Sequence, residues 1–155
     1  MVRTKLALPI VLLSALSLAS SVAADPALKG AAKMSLEPSA ASLAGGKARL
    51  TTTALRRLAG RYVGNYQLKV FPYAFKNETG TLSIGVSDEA VRTLAAGTAV
   101  SFTGTAATTG TSKSRPVTIL ATPSGPGVPK GKMTISIATE NGALVFAPAY
   151  TLTGE

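Results

Sequence analysis

The chain has 155 residues, with 16 Lys and Arg against 7 Asp and Glu, a formal net charge of +9, and no His, Cys or Trp. The length suits one small domain. The missing residue types exclude a Ser-His-Asp triad, a cysteine nucleophile, a disulfide framework, a lipidated cysteine and an ordinary zinc site.

Residues 1–24 read as an export signal. Arg3 and Lys5 form a positive start, Leu6 to Leu18 is mostly apolar, and Val22-Ala23-Ala24 fits a small-x-small cleavage site. The apolar stretch is about 13 residues, short of the roughly 20 that a membrane-spanning helix needs. Cleavage is therefore expected near Ala24, which places the protein in the periplasm or outside the cell. Loss of Arg3 and Lys5 lowers the formal excess from +9 to +7. No later segment is long and apolar enough to span a membrane as a helix. An exported chain without disulfides must be held by its apolar core alone.

Residues 25–46 are rich in Ala, Ser, Gly and Lys and read as a flexible tail or linker, leaving 47–155 as a single β-domain. Lys47 to Thr53 suits a weak first strand. Ala54 to Ala59 suits one or two helical turns, with Leu55 and Leu58 on one side and Gly60 as the stop. From Tyr62 the pattern is alternation. Tyr62, Tyr66, Leu68 and Val70 share one face of a strand that Pro72 interrupts with an edge, bulge or bend. Leu82, Ile84 and Val86 share another face. Ser87 then caps a short helix, with Asp88 and Glu89 in its first turn, Val91, Leu94 and Ala95 as its stripe, and Gly97 at its end.

Val100 and Phe102 lie on one face of the next strand, and Val117, Ile119 and Ala121 on one face of the strand after that. Gly104 to Arg115 and Thr122 to Lys132 read as exposed loops. Asn141-Gly142 is the favoured pair for a two-residue hairpin turn. That turn sets Ile137 opposite Phe146, Ile135 opposite Pro148 and Met133 opposite Tyr150, with Pro148 at an edge or bulge. The expected fold is all-β: a small antiparallel barrel of six or seven strands with one short inserted helix, or alternatively a two-sheet β-sandwich.

Catalytic chemistry finds little support. Asp25, Glu37 and Glu155 sit near chain ends or in the tail, Asp88 and Glu89 begin the helix, and Glu78 and Glu140 fall in turns. A glycosidase needs two carboxylates across a cleft, and the sequence alone does not bring Glu78 to Glu140. Ser112-Lys113-Ser114 lies in a Gly-flanked loop unsuited to catalytic geometry. There is no phosphate-cradling glycine motif and no calcium loop. Asn77-Glu78-Thr79 is a glycosylation sequon whose plain reading is a polar turn. No enzyme activity, cofactor or metal is expected.

Residues 61–77 hold five of the eight aromatic residues, Tyr62, Tyr66, Phe71, Tyr73 and Phe75, interleaved with Arg61, Lys69 and Lys76. Tyr62 and Tyr66 are expected in the core. Core or barrel-end packing is also the expectation for Phe71, Tyr73 and Phe75, with an exposed binding strip as the alternative. The aromatics, few in number, and the polar C-terminus speak against an outer-membrane barrel. Leu58-Ala59-Gly60-Arg61-Tyr62-Val63-Gly64 resembles the G-x-Y-x-G opening strand of small exported β-barrels, lipocalin-like ones among them, and the inserted helix and the Gly104 strand end resemble those of OB-type barrels. These resemblances bear on fold alone.

The function expected is a non-enzymatic exported binding domain. It would hold an anionic glycan or lipid of the envelope through Arg57, Arg61, Lys69, Tyr73 and Lys76. The alternative is a structural protein that acts on a protein partner without a small ligand. Nucleic acid is not an expected partner.

Overall fold

A computed structural model describes residues 26–140 and 142–154. The expected leader, and Asn141 of the expected turn, lie outside the described residues. In chain order the elements are α1 (Pro26–Lys29), β1 (Lys33–Leu36), β2 (Ser39–Leu43), β3 (Gly46–Thr52), β4 (Leu55–Leu58), β5 (Arg61–Phe71), β6 (Glu78–Gly85), α2 (Asp88–Ala95), β7 (Val100–Thr108), β8 (Ser114–Pro123), β9 (Lys130–Thr139), β10 (Gly142–Phe146) and β11 (Ala149–Thr153). A 3-10 turn, Ala74–Lys76, lies between β5 and β6.

The fold is all-β. Eight antiparallel strands close a barrel in the order β5-β4-β1-β11-β9-β8-β7-β6, with β6 pairing back to β5, while β2, β3 and β10 lie outside the ring. The β5–β6 ladder sets the sandwich aside, and the ring exceeds the six or seven strands expected. Part of the shortfall traces to residues 25–46. That segment is not a tail: it supplies α1, β1 and β2 and buries Ala31, Met34 and Ala41. Its small side chains give too faint an alternation to read, yet small residues suffice where the wall packs closely. Residues 55–58 are likewise a strand and not helical turns. Only Leu55 is buried, Leu58 is exposed, and pairing with Tyr62 and Val63 decides the conformation.

The strands outrun the alternation that announces them. β7 extends to Thr108 and β8 begins at Ser114, so only the middle of the expected 104–115 loop is a turn. The hairpin register is shifted by two. Thr139 faces Gly142, Ile137 faces Leu144 and Ile135 faces Phe146. A shift of two leaves every side chain on its own face, so alternation cannot separate the two registers. The ladder breaks at Ala147–Pro148, where Met133 N donates to the Pro148 carbonyl, and resumes with Tyr150 opposite Gly131 and not Met133.

Apolar side chains turn inward. On β8, Val117, Ile119 and Ala121 are buried while Thr118, Leu120 and Thr122 are exposed; on β9, Met133, Ile135 and Ile137 alternate with Lys132 and Thr134. This polarity is the reverse of a membrane-spanning barrel, whose apolar side chains face lipid. No polar or charged residue is buried among the described residues. Two core tyrosines place their hydroxyls on partners, Tyr62 on the Ala31 carbonyl at 2.6 Å and Tyr66 on Glu78 at 3.1 Å. Among the described residues no helix is long and apolar enough to cross a membrane.

The two ends of the barrel differ. At one end α2 packs Val91 and Leu94 into the core, its Ser87 Oγ cap accepting from Ala90 N at 3.1 Å. Gly127 N donates to the Ala95 carbonyl at 2.7 Å and ties the β8–β9 loop to the helix. Toward the other end the wall changes partners. β5 pairs β4 through residues 61–63 and β3 through residues 66–71; β9 pairs β11 through residues 130–132 and β10 through residues 135–139. There β2 and β10 lie beside each other without a ladder, joined where Ala147 N donates to Ser39 Oγ at 3.1 Å.

Candidate binding site at the open end of the barrel

The open end is built by the turns after β2, β5, β7 and β9. After Phe71 the chain cannot continue as a ladder, because Pro72 has no N–H to give. It folds into the 3-10 turn instead, with Lys76 N donating to the Tyr73 carbonyl at 2.9 Å. Asn77 Oδ1 accepts from Val70 N at 2.7 Å and closes the loop. The result holds three aromatic rings outward. Phe71 is 77% exposed and Phe75 82%, and Tyr73 is also exposed. Tyr73 and Phe75 meet edge to face with centroids 6.0 Å apart, and Lys76 Nζ lies 5.5 Å from the Tyr73 centroid. Gly45, at φ +77°, lets the β2–β3 turn approach the Tyr73 hydroxyl, where an added Cβ would stand only 3.2 Å away. The expectation of core packing for Phe71, Tyr73 and Phe75 is thus overturned; they form the exposed strip.

Beside the rings lies a cavity of about 650 Å³. Leu43, Leu68, Val70 and Leu144 give it an apolar floor, while Lys76, Lys113 and Arg115 stand on its rim with Glu78 and Glu140. Arg115 Nη2 pairs with Glu78 Oε2 at 3.1 Å, and Glu78 Oε1 accepts from the Tyr66 hydroxyl. The structure therefore brings Glu78 and Glu140 to one cavity, which the sequence alone does not do. They are not a buried pair: Glu78 is held by Arg115 and Tyr66, and Glu140 is exposed. Among the described residues no group of acidic side chains is arranged to hold a metal.

A basic face lies on the outer side of the wall whose inner residues, Leu68 and Val70, line the cavity. Across the β3–β5 ladder Lys47 faces Phe71 and Arg49 faces Lys69, and on β2 the neighbour of Arg49 is Ala40. All four long side chains are exposed, and neither Arg49 nor Lys69 forms an ion pair among the described residues.

The five residues expected to bind do not form one site. Lys69, Tyr73 and Lys76 stand at the open end. Arg57 and Arg61 belong to the helix-capped end, where β5 begins; at about 3.3 Å per residue, Arg61 and Lys69 are roughly 26 Å apart. Arg57 is engaged in structure. Its Nη2 donates to Asp88 Oδ1 and to the Val86 carbonyl, each at 2.8 Å, and its guanidinium lies 5.9 Å from the Tyr62 ring centroid. Arg61 Nε donates to Ser83 Oγ at 2.8 Å. The open end gains Lys47, Arg49, Lys113 and Arg115 instead. The alternation of Lys47, Arg49 and Thr51 outward with Ala48 and Leu50 inward was the signal for the first two, once β3 pairs β5. The turn that brings Lys113 and Arg115 over the mouth has no comparable signal.

Comparison with protein-family models, with curated proteins and with solved structures finds no match to this chain.

Proposed function

We propose that the protein is a non-enzymatic binding domain of the cell envelope or its surroundings, and that the open end of the barrel holds an anionic amphiphile such as an acidic lipid. The observation that carries this reading is the outward Arg49–Lys69 row, without an ion pair among the described residues, at the same end of the barrel as three exposed aromatic rings and an apolar-floored cavity. An apolar chain suits Leu43, Leu68, Val70 and Leu144 and its anionic head suits Lys76 and Lys113 on the rim, while the outward β3–β5 cations suit the headgroups of a surrounding anionic surface. The aromatic rings lie where an apolar body meets a wet, charged surface. The export reading of residues 1–24 supports a location where such ligands are met.

The test is co-sedimentation with vesicles of zwitterionic lipid alone and of the same lipid with an anionic one, at low and high salt, with a soluble acidic glycan as competitor. Binding to anionic vesicles that salt weakens, and that Arg49→Ser with Lys69→Ser and Lys76→Ser removes, is expected. Equal binding to both vesicle types would overturn the reading. Binding to the glycan alone would replace lipid with sugar as the ligand.

A second reading rests on the β2–β10 seam. Each of these strands has one edge without a ladder, and a partner strand could add there by parting the β2–β10 contact. Loss of a co-purifying protein on Ala41→Pro, with vesicle binding intact, would favour it.

A further inference from the structure

The helix-capped end holds a second cavity, of about 340 Å³, between α1, α2 and the 127–129 segment. Ala31, Val91, Leu94, Val128 and Leu152 are among its walls, and Tyr150 completes them. Among the described residues no charged side chain lines it, and Tyr150 is the one lining residue with a polar side chain. Tyr150 is only 2% exposed, and its ring leans across the cross-strand Gly131, whose added Cβ would meet the hydroxyl at 2.9 Å.

Buried tyrosines normally place the hydroxyl on a partner. Tyr62 and Tyr66 do so; the Tyr150 hydroxyl makes no hydrogen bond among the described residues. The hydroxyl is not sealed from solvent, as Thr52 Oγ1 and Arg57 Nε are, so an acceptor can reach it. A carboxylate, phosphate or ammonium here would find no countercharge among the described lining residues. As to size, an apolar cavity of about 150 Å³ accommodates benzene, so this one suits a molecule of roughly a dozen carbons.

We propose that this cavity is a second binding site, taking a small uncharged apolar molecule that carries one oxygen acceptor, such as a ketone or an ester, placed to accept from the Tyr150 hydroxyl. It lies at the other end of the barrel from the open mouth and does not depend on the reading given to that mouth.

The test uses the purified full chain and three probes of similar shape: 2-acetylnaphthalene, 2-ethylnaphthalene and 2-naphthoate. Calorimetry supplies affinity, and amide shifts supply location. The ketone is expected to bind with one-to-one stoichiometry and to shift Val91, Leu94 and Leu152. The hydrocarbon should bind about fivefold more weakly, the equivalent of one hydrogen bond, and the anion should not bind at this end. Tyr150→Phe should make ketone and hydrocarbon equal. Ala95→Phe, or Val128→Trp in the loop should the first variant fail to fold, should abolish both. Shifts confined to Leu43, Leu68 and Leu144, tighter binding of the naphthoate at this end, a ketone preference that survives Tyr150→Phe, or no saturable binding would each overturn the proposal.

Discussion

Arg49 and Lys69 stand directly opposite each other on adjacent antiparallel strands, with Ala40 as the next residue in the row. Like charges in that position oppose the ladder, by a few tenths to about 1 kcal/mol. Lys69→Thr should therefore stabilise the protein by about 0.5 kcal/mol and weaken binding to anionic vesicles in the same variant. Paired denaturation and sedimentation curves check this. A variant that loses both stability and binding would show that Lys69 serves packing and not an anion.

The aromatic rim invites a sharper comparison. Phe71 and Phe75 are mostly exposed, while Phe146 is fully buried in the barrel. Phe71→Ser with Phe75→Ser should shift stability by no more than about 0.5 kcal/mol per site, whereas Phe146→Ala should cost about 3–5 kcal/mol. Urea midpoints separate the two cases. The rim variant should also lose most of its vesicle binding; full retention would remove these rings from the site.

Arg57 shows the opposite assignment. It joins β4 to the start of α2 through Asp88 and the Val86 carbonyl, so it fastens the helix over the capped end. Arg57→Ala should destabilise by about 1–3 kcal/mol, because a part-buried carbonyl loses a charged donor. Faster amide exchange in α2 than in β8 and β9 would locate the loss. Anionic binding at the open end should be unchanged, and a fall there in a variant with a native-like spectrum would return Arg57 to the site.

What the sequence made legible follows from how strongly each feature biases one local choice. The α2 cap and stripe, from Ser87 through Leu94, were readable because cap, charge and period agree. The inward faces of β5, β6, β8 and β9 were readable for the same reason, with large apolar residues at every second place. Residues 33–43 were not, since Ala41 and Met34 are buried among Ser and Lys that carry no pattern. Leu55 and Leu58 mimic a helical pair, and only their partner strand shows that Leu58 faces water. For the site, composition found the aromatic–cationic segment but could not divide it. β5 carries Arg61 and Lys69 to opposite ends of the barrel, and that separation depends on strand length and closure, which are tertiary facts.

The buried tyrosines add to the pH dependence of stability on the alkaline side. Burial raises the Tyr62 phenol from the ordinary 10.0 to about 12, with the nearby Arg57 charge opposing the rise, and burial raises Tyr66 and Tyr150 as well. The folded state therefore holds a proton that the unfolded chain releases. The contribution of Tyr62 is whole below pH 10.0, shrinks as pH rises from there, and is gone above about 12. Its size is roughly 1–2 kcal/mol once solvent screening is allowed for. Tyr62→Phe should cost about 1 kcal/mol at pH 7, because the Ala31 carbonyl loses its donor, yet fall less steeply than the parent between pH 10 and 12. The difference between the two proteins removes the common effect of lysine titration. Urea midpoints measured for both across that range decide the matter, and parallel curves would mean that Tyr62 ionises alike in the folded and unfolded chains.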